Sequence, residues 1–390
     1  MCQRLESHRR LLVHFLTSAY RKKPVIVSLL IGMLLCLPVV TLLYGNSIGL
    51  IHHMAYVGTV TASSSRAAAG STQQQVLLLT YGRSGSSFTS ALISHHPDVF
   101  FTFEPLYVIV KELHAEKESY FINEKEIDSN AIVNAFLTCD FKMEDIYALD
   151  NTQHRNSDST REFYLCLRAK IDGVSHLSCF LNFLKSCQGH KVTFVKSIRF
   201  RAKWAEWFLE TFPNFKLLML VRDPRATLYS QSKLFKTFDW KTEIANISST
   251  HCKLLQDDLK DAERLSLLYP GRVKGIRYED GAMDPFNYTQ RIYEFLGMDY
   301  NDTIIDYIRN ITNSTADERL TRRAYSIEKN NSTKAMNRWR YGAGYKGART
   351  VDATCGHVYK KLGYKFVKSQ SDLESDRSLV DVPDTGGIFE

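Results

Sequence analysis

The chain has eight cysteines in 390 residues but no Cys-x-x-Cys pair, so nothing points to a zinc ribbon or knuckle. No internal repeat is visible. Neither sign of charge is in large excess: 50 Lys and Arg oppose 42 Asp and Glu, a formal net of +8. The basic residues are spread and not clustered with aromatics, so nucleic acid is not an indicated partner, whereas an anionic small ligand fits. Long apolar runs are also scarce. Val25 to Leu43 is the one obvious span, and it is long enough to cross a bilayer.

That span follows Arg21-Lys22-Lys23, with Arg9 and Arg10 further back, and no Lys or Arg follows it until Arg66. The positive-inside rule then predicts a type II anchor: residues 1–24 cytoplasmic, 25–43 in the membrane, and everything from 44 luminal. A cleaved signal peptide is the alternative, but the charged region is too long and the apolar span exceeds a signal core. Residues 44–75, with Ser, Thr, Ala and Gln and little periodicity, read as a stem. Residues 76–370 read as the folded domain, and 371–390 as a loose tail.

The luminal part holds Cys139, Cys166, Cys179, Cys187, Cys252 and Cys355, an even set allowing up to three disulfides in fifteen connectivities. Seven Asn-x-Ser/Thr sequons (Asn246, Asn287, Asn301, Asn310, Asn313, Asn330, Asn331) agree with a secretory lumen.

Two segments carry the chemistry. In residues 77–88, Leu-Leu-Leu-Thr-Tyr-Gly-Arg-Ser-Gly-Ser-Ser-Phe, a continuously apolar strand runs into a turn. Gly82 and Gly85 let the backbone turn tightly, Ser84, Ser86 and Ser87 supply hydroxyls, and Arg83 supplies charge. Helical sequence follows, so free N–H groups and a positive dipole end face the loop. That is a phosphate cradle. It lacks the lysine of a nucleotide-triphosphate loop, because Gly82 and Gly85 are three apart and Ser86 stands where Lys belongs. A magnesium-dependent kinase thereby loses its usual parts.

In the second segment, Val221 ends a strand and Arg222-Asp223-Pro224-Arg225 leads into a helix bearing Ser230. A guanidinium and a hydroxyl there suit a second phosphate. Strand-like runs at 76–80, 99–103, 192–196, 215–221 and 272–277 alternate with helix-like runs at 86–95, 202–211, 225–235, 253–268 and 286–296. This pattern predicts an α/β fold, a P-loop-like parallel sheet with helices on both faces and both anion loops at the strands' carboxyl ends. Residues 111–160 are charged and polar with no clear assignment, and could form an acceptor-side insertion.

On these residues the chain resembles the Golgi carbohydrate sulfotransferases, most closely the group acting on the 6-hydroxyl of galactose, N-acetylgalactosamine or N-acetylglucosamine. Arg83 to Phe88 is similar to their 5′-phosphosulfate loop, and Arg222 to Ala226 with Ser230 to their 3′-phosphate segment. Further similarity lies at Phe103-Glu104-Pro105, Arg277-Tyr278-Glu279-Asp280, Phe295-Leu296-Gly297, Trp339-Arg340, Cys355 and Leu362-Gly363-Tyr364.

The resemblance implies the sulfotransferase fold and a 3′-phosphoadenosine 5′-phosphosulfate donor. It implies donor binding by Arg83, Ser84, Gly85, Ser86, Ser87, Phe88, Thr89, Arg222, Asp223, Pro224, Arg225 and Ser230. It also implies a glycan acceptor, a Golgi-membrane location and no metal requirement, since Arg83 would neutralise the leaving phosphate. A homo-oligomer is compatible with it.

Glu104, after the apolar run Val99 to Phe103, is the expected general base. A strand cap, or a partner for Arg83, is the plainer reading of the same residue. His95 and His96 are rival bases, though they fall where a helix ends before Pro97. Lys196 and Arg199 would face either the acceptor or solvent, and Arg277 to Asp280 would brace the site. The run Gly342-Ala343-Gly344-Tyr345-Lys346-Gly347 matches G-x-G-x-x-G but follows no apolar strand, so a dinucleotide fingerprint is not indicated. Lys346 and Arg349 could still close over a 3′-phosphate. The competing functional readings are a non-catalytic glycan-binding relative and a nucleotide-dependent kinase.

Overall fold

The computed structural model describes residues 73–112, 126–142, 145–169, 176–234, 238–312, 332–383 and 388–389. The expected cytoplasmic tail and membrane anchor, and the stem up to residue 72, lie outside the described residues. Five strands form one parallel sheet: β1 (Gln74–Leu79), β2 (Val99–Phe103), β3 (Val192–Ser197), β4 (Lys216–Val221) and β5 (Val273–Arg277), in the order β2-β3-β1-β4-β5. All five runs expected as strands are strands, within two residues at either end. Because both faces are covered, the strands carry apolar runs without regular polar alternation, such as Val76–Leu79 and Leu217–Val221, and most of their polar residues stand at the strand ends.

Successive side chains point to opposite faces. Leu77, Leu79, Phe100, Val195, Leu217, Met219 and Val273 join one core, while Val76, Leu78, Phe101, Phe194, Leu218, Leu220 and Ile276 join the other. The second core is covered by α1 (Ser86–Ser94), with Leu92 and Ile93, and by Ile292, Leu296, Ile304 and Ile308 from later in the chain. Between the first two strands and β3 come α2 (Tyr107–Glu112), α3 (Glu126–Thr138), α4 (Asp158–Arg168) and α5 (His176–Gly189). Two 3₁₀ turns, Ile146–Leu149 and Thr152–Asn156, precede α4. The described residues of the segment with no assignment from sequence are thus largely helical. Its helices take their stability from tertiary packing and two disulfides, Cys139–Cys187 and Cys166–Cys179, which propensity does not report.

Next come α6 (Ala205–Thr211), α7 (Pro224–Leu234) and the 25-residue α8 (Ile244–Leu268), which begins nine residues before its sequence signal. After β5 follow α9 (Tyr278–Met283), α10 (Pro285–Leu296), α11 (Asp302–Thr312), α12 (Ser332–Asn337), α13 (Arg340–Ala343), α14 (Tyr345–Leu362) and α15 (Gln370–Glu374). The α10 start is specified locally. Asp284 accepts a hydrogen bond from the Asn287 N–H at 3.0 Å, Pro285 occupies the first turn, and Gly297 closes the helix at φ 70°. Cys252–Cys355 ties α8 to α14.

The stretch expected as a loose tail is instead docked as far as residue 383, and again at 388–389. Arg340 donates to the carbonyls of Leu373 and Arg377 at 2.6 and 2.9 Å, and Arg277 to that of Asp381 at 2.8 Å. Leu373, Leu379 and Ile388 are buried, and the Gly275 N–H donates to the Ile388 carbonyl on the outer edge of β5. Composition marked this stretch as polar, but two buried guanidiniums need its carbonyl oxygens as acceptors.

Candidate active site

The carboxyl edge of the sheet carries, in spatial order, Glu104 after β2, Lys196 to Arg199 at the end of β3, Thr80 to Gly85 after β1, Arg222 and Asp223 after β4, and Tyr278 after β5. Parallel strands sit about 4.8 Å apart, so the turns after β2 and β4 are roughly 14 Å apart along that edge.

The β1–α1 turn is tightly built. Arg83 and Gly85 both take positive φ, at 69° and 86°. The ring of Tyr278 lies where a Cβ on residue 85 would stand, 2.1 Å from its nearest atom, so only glycine fits. The Ser84 hydroxyl accepts from the Tyr81 N–H at 3.1 Å and donates to the Tyr81 carbonyl, and so is spent inside the loop. Tyr81 reaches behind the loop to Asp258 at 2.7 Å, and Arg201 pairs with the same carboxylate at 2.9 Å. Burial pushes the Asp258 carboxyl up despite Arg201. Ser86, Thr89 and Ser84 are buried, whereas Arg83, Gly85, Ser87 and Phe88 are half-buried.

The two loops expected to bind anions meet. Arg222 Nη1 donates to the Arg83 carbonyl at 2.9 Å, Arg83 Nε to Ser230 Oγ at 3.2 Å, and Gln231 Nε2 to the Gly82 carbonyl at 2.7 Å. The Arg222 guanidinium lies 4.6 Å over the Tyr278 ring. Its Nε is buried with no hydrogen-bond partner. A buried guanidinium N–H without an acceptor is costly, and an oxyanion bound at that edge removes the cost.

Arg225 does not face this space. It is fully buried, forks onto Asp223 (Nη2 to Oδ2, 2.7 Å) and reaches Asp352 at 3.0 Å and the Lys365 carbonyl at 2.9 Å. Asp223 and Pro224 are buried as well. The expectation that Arg225, Asp223 and Pro224 hold an anion directly is therefore corrected: Asp223 and Arg225 neutralise one another inside the core. The sequence could not show this, because Asp352 lies 127 residues away.

Glu104 stands at the end of β2 with φ 52°, buried at 3% exposure. Lys196 Nζ lies 2.6 Å and the Ile198 N–H 3.0 Å from its Oε1, while Arg199 Nη1 lies 2.7 Å from Oε2. Asn151 holds its carbonyl at 3.0 Å. Its partners are thus Lys196 and Arg199, not Arg83. Lys196 is fully desolvated, which lowers its pKa against the opposing pull of Glu104. Arg83 and Glu104 are two of three non-glycine residues with positive φ among those described, and such local strain tends to gather where geometry is functional.

His95 and His96 lie elsewhere, between the end of α1 and the start of β2, at the amino edge of the sheet. His95 stacks on Tyr307 with ring centroids 3.7 Å apart. Arg277 braces as expected, pairing with Asp280 and holding the Leu362 carbonyl at 2.9 Å. The glycine run serves packing. A Cβ on Gly342 would meet the Tyr229 hydroxyl at 2.2 Å, and one on Gly347 the Trp240 indole nitrogen at 2.4 Å. Lys346 and Arg349 are exposed on α14.

A family model described as "Sulfotransferase family" matches residues 75–302, more than half of the chain. Carbohydrate sulfotransferase 1 of Rattus norvegicus is 29% identical over 347 residues, covering 79% of this chain and 84% of the relative. Carbohydrate sulfotransferase 3 of Tetronarce californica is 27% identical over 340 residues, covering 76% and 74%. Among solved structures, a sulfotransferase domain from the curacin biosynthetic pathway aligns with a TM-score of 0.41 at 17% identity, over 75% of this chain and 98% of that one. With the family model lying across both turns and all five strands, the chain belongs to the sulfotransferase family.

Proposed function

We propose that the protein transfers a sulfuryl group from 3′-phosphoadenosine 5′-phosphosulfate to a carbohydrate, at the 6-hydroxyl of a galactose, N-acetylgalactosamine or N-acetylglucosamine residue, as a Golgi enzyme held by the apolar span at 25–43. One observation carries the reading. Two basic turns on neighbouring strands are joined through Arg222 and the Arg83 carbonyl, with the Arg222 Nε–H buried and unanswered. A donor with phosphate at both its 3′ and 5′ positions supplies an oxyanion to each turn. The relatives' names support the carbohydrate acceptor.

The residues present fit such a donor. Arg222 and Ser230 would hold the 3′-phosphate. Arg83, the Ser86 and Ser87 N–H groups and the first turn of α1 would hold the 5′-phosphosulfate. Ser84, Thr89, Asp223 and Arg225 shape the two turns from behind. Glu104 Oε1 already accepts two hydrogen bonds, but Oε2 accepts only one, so a lone-pair direction remains for an acceptor hydroxyl. In the transfer the hydroxyl oxygen bonds to sulfur and its proton goes to Glu104. The bond between sulfur and the bridging oxygen breaks, and its electron pair leaves with the 5′-phosphate. Arg83 neutralises the charge that grows there.

The test is transfer of radiolabelled sulfate from the donor to a panel of glycans. We expect labelled product on at least one 6-hydroxyl acceptor. Glu104→Gln should lower turnover by about 100-fold or more while leaving nucleotide affinity near normal. Full activity in that variant removes Glu104 as the base. Glycan binding with no transfer by the intact protein would leave a non-catalytic binding relative.

A further inference from the structure

Arg199 has a second unanswered guanidinium edge, on the other side of the cradle from Arg222. Nη1 is spent on Glu104 Oε2 at 2.7 Å, yet its Nε is buried without an acceptor, and the side chain is only 10% exposed. Nε lies on the fork edge of the guanidinium, the edge that takes two oxygens of one oxyanion, and points away from the Nη1 corner that Glu104 holds. The residue is firmly placed. Its own N–H donates to Ser197 Oγ at 3.0 Å, the neighbouring Ile198 N–H is fixed on Glu104, and its guanidinium lies 5.3 Å over the Tyr107 ring. A plain ion pair with Glu104 accounts for Nη1 but leaves the buried Nε–H unexplained.

Sheet order says which oxyanion belongs there. From β4 to β2 the carboxyl edge runs Arg222, cradle, β3 turn, Glu104. If the 3′-phosphate lies at Arg222 and the 5′-phosphate in the cradle, the sulfonate extends one strand further, beside the β3 turn and before Glu104. An acceptor oxygen that touches Glu104 Oε2 while attacking sulfur in line requires the same position. We propose that Arg199 binds the sulfonate being transferred and makes the site distinguish the sulfated donor from its desulfated product, 3′,5′-phosphoadenosine. This deepens, and rests on, the donor assignment above. During transfer, while the O–S bonds are exchanged and the proton passes to Glu104, Arg199 keeps its hold on sulfonate oxygens and forms no bond of its own.

The test compares affinities for the sulfated and desulfated nucleotides, measured by calorimetry on the intact protein without acceptor. Arg199→Met should weaken the sulfated nucleotide at least 10-fold and leave the desulfated one within twofold. Arg199→Lys, which keeps the charge but not the fork, should fall between Met and wild type for the sulfated nucleotide only. If Arg199→Met misfolds, the Lys variant decides alone. Equal weakening of both nucleotides would assign Arg199 to a phosphate or to the fold and overturn the proposal. So would unchanged nucleotide affinity with a raised KM for glycan, which places an acceptor oxygen in the fork. Wild-type protein that binds neither nucleotide would instead overturn the donor assignment itself.

Discussion

Arg222 and Arg225 are three residues apart in one turn and do different work. Arg222 is half-buried and makes one protein hydrogen bond, to the Arg83 carbonyl, leaving Nε for a ligand. Arg225 spends its donors on Asp223, Asp352 and a carbonyl, and those carboxylates hold its guanidinium protonated even though burial opposes it. Arg222→Ala should therefore melt near the wild-type temperature and lose nucleotide affinity by about 100-fold, the worth of one or two charge-assisted hydrogen bonds. Arg225→Met should do the reverse in kind. It leaves Asp223 and Asp352 buried without their cation, a loss of about 3–5 kcal/mol of stability, and affinity falls only as the fold does. Thermal melts beside nucleotide titrations separate the two. Equal stability losses in both variants would show that the turn acts as one structural unit.

Among the elements, the clearest constraint is the disulfide between α8 and α14. Cys252 and Cys355 are 103 residues apart and completely buried, whereas Cys139–Cys187 and Cys166–Cys179 close separations of 48 and 13. A longer loop removes more entropy from the unfolded chain, so Cys252→Ser with Cys355→Ser should cost about 4–5 kcal/mol, more than either other pair. Denaturant titration of the three paired variants gives the order; a smaller loss for Cys252–Cys355 than for Cys166–Cys179 would refute the loop-entropy account. The sequence shows six cysteines and not their pairing, because pairing depends on which helices pack together. Strand positions were legible for a simpler reason. A strand covered on both faces carries a continuous apolar run in place of alternation, and that shows without partners. The two anion turns were legible because glycine, serine, proline and arginine carry local geometry. Side-chain direction was not, and it separates Arg222 from Arg225. Nor was the ion-paired setting of Glu104, whose cations, Lys196 and Arg199, come from the end of β3 and the turn after it, 92 and 95 residues later.

In the molecule as a whole, acid sensitivity follows from two histidines outside the site. Burial pushes His154 and His251 down to about 4. His154 packs against Phe136 and Phe163, with Asp150 and Arg168 as the charges nearby, and His251 meets Tyr81 edge to face at 5.2 Å. Each is neutral in the folded chain and titrates near 6.5 when unfolded, so between those values the unfolded state binds more protons. The histidines' contribution is full above about pH 6.5, falls as the pH drops towards 4, and is lost below, on the order of 3 kcal/mol for each. The buried acids Asp258, Glu279 and Asp352, pushed up by burial, run the opposite way, gaining stability as the pH falls through their folded-state values. The net slope therefore mixes both signs, and a variant is needed to isolate the histidines. His154→Gln should flatten the fall in melting temperature between pH 6.5 and 4 relative to wild type. An unchanged slope would mean that His154 keeps an ordinary pKa in the fold. The same histidine links stability to the site: it lies in the turn that begins at Asn151, whose side chain holds the Glu104 carbonyl at 3.0 Å. Protonating it should loosen that turn before the sheet, so activity should decline at a higher pH than the melting transition does, and parallel activity and melting curves would rule the link out.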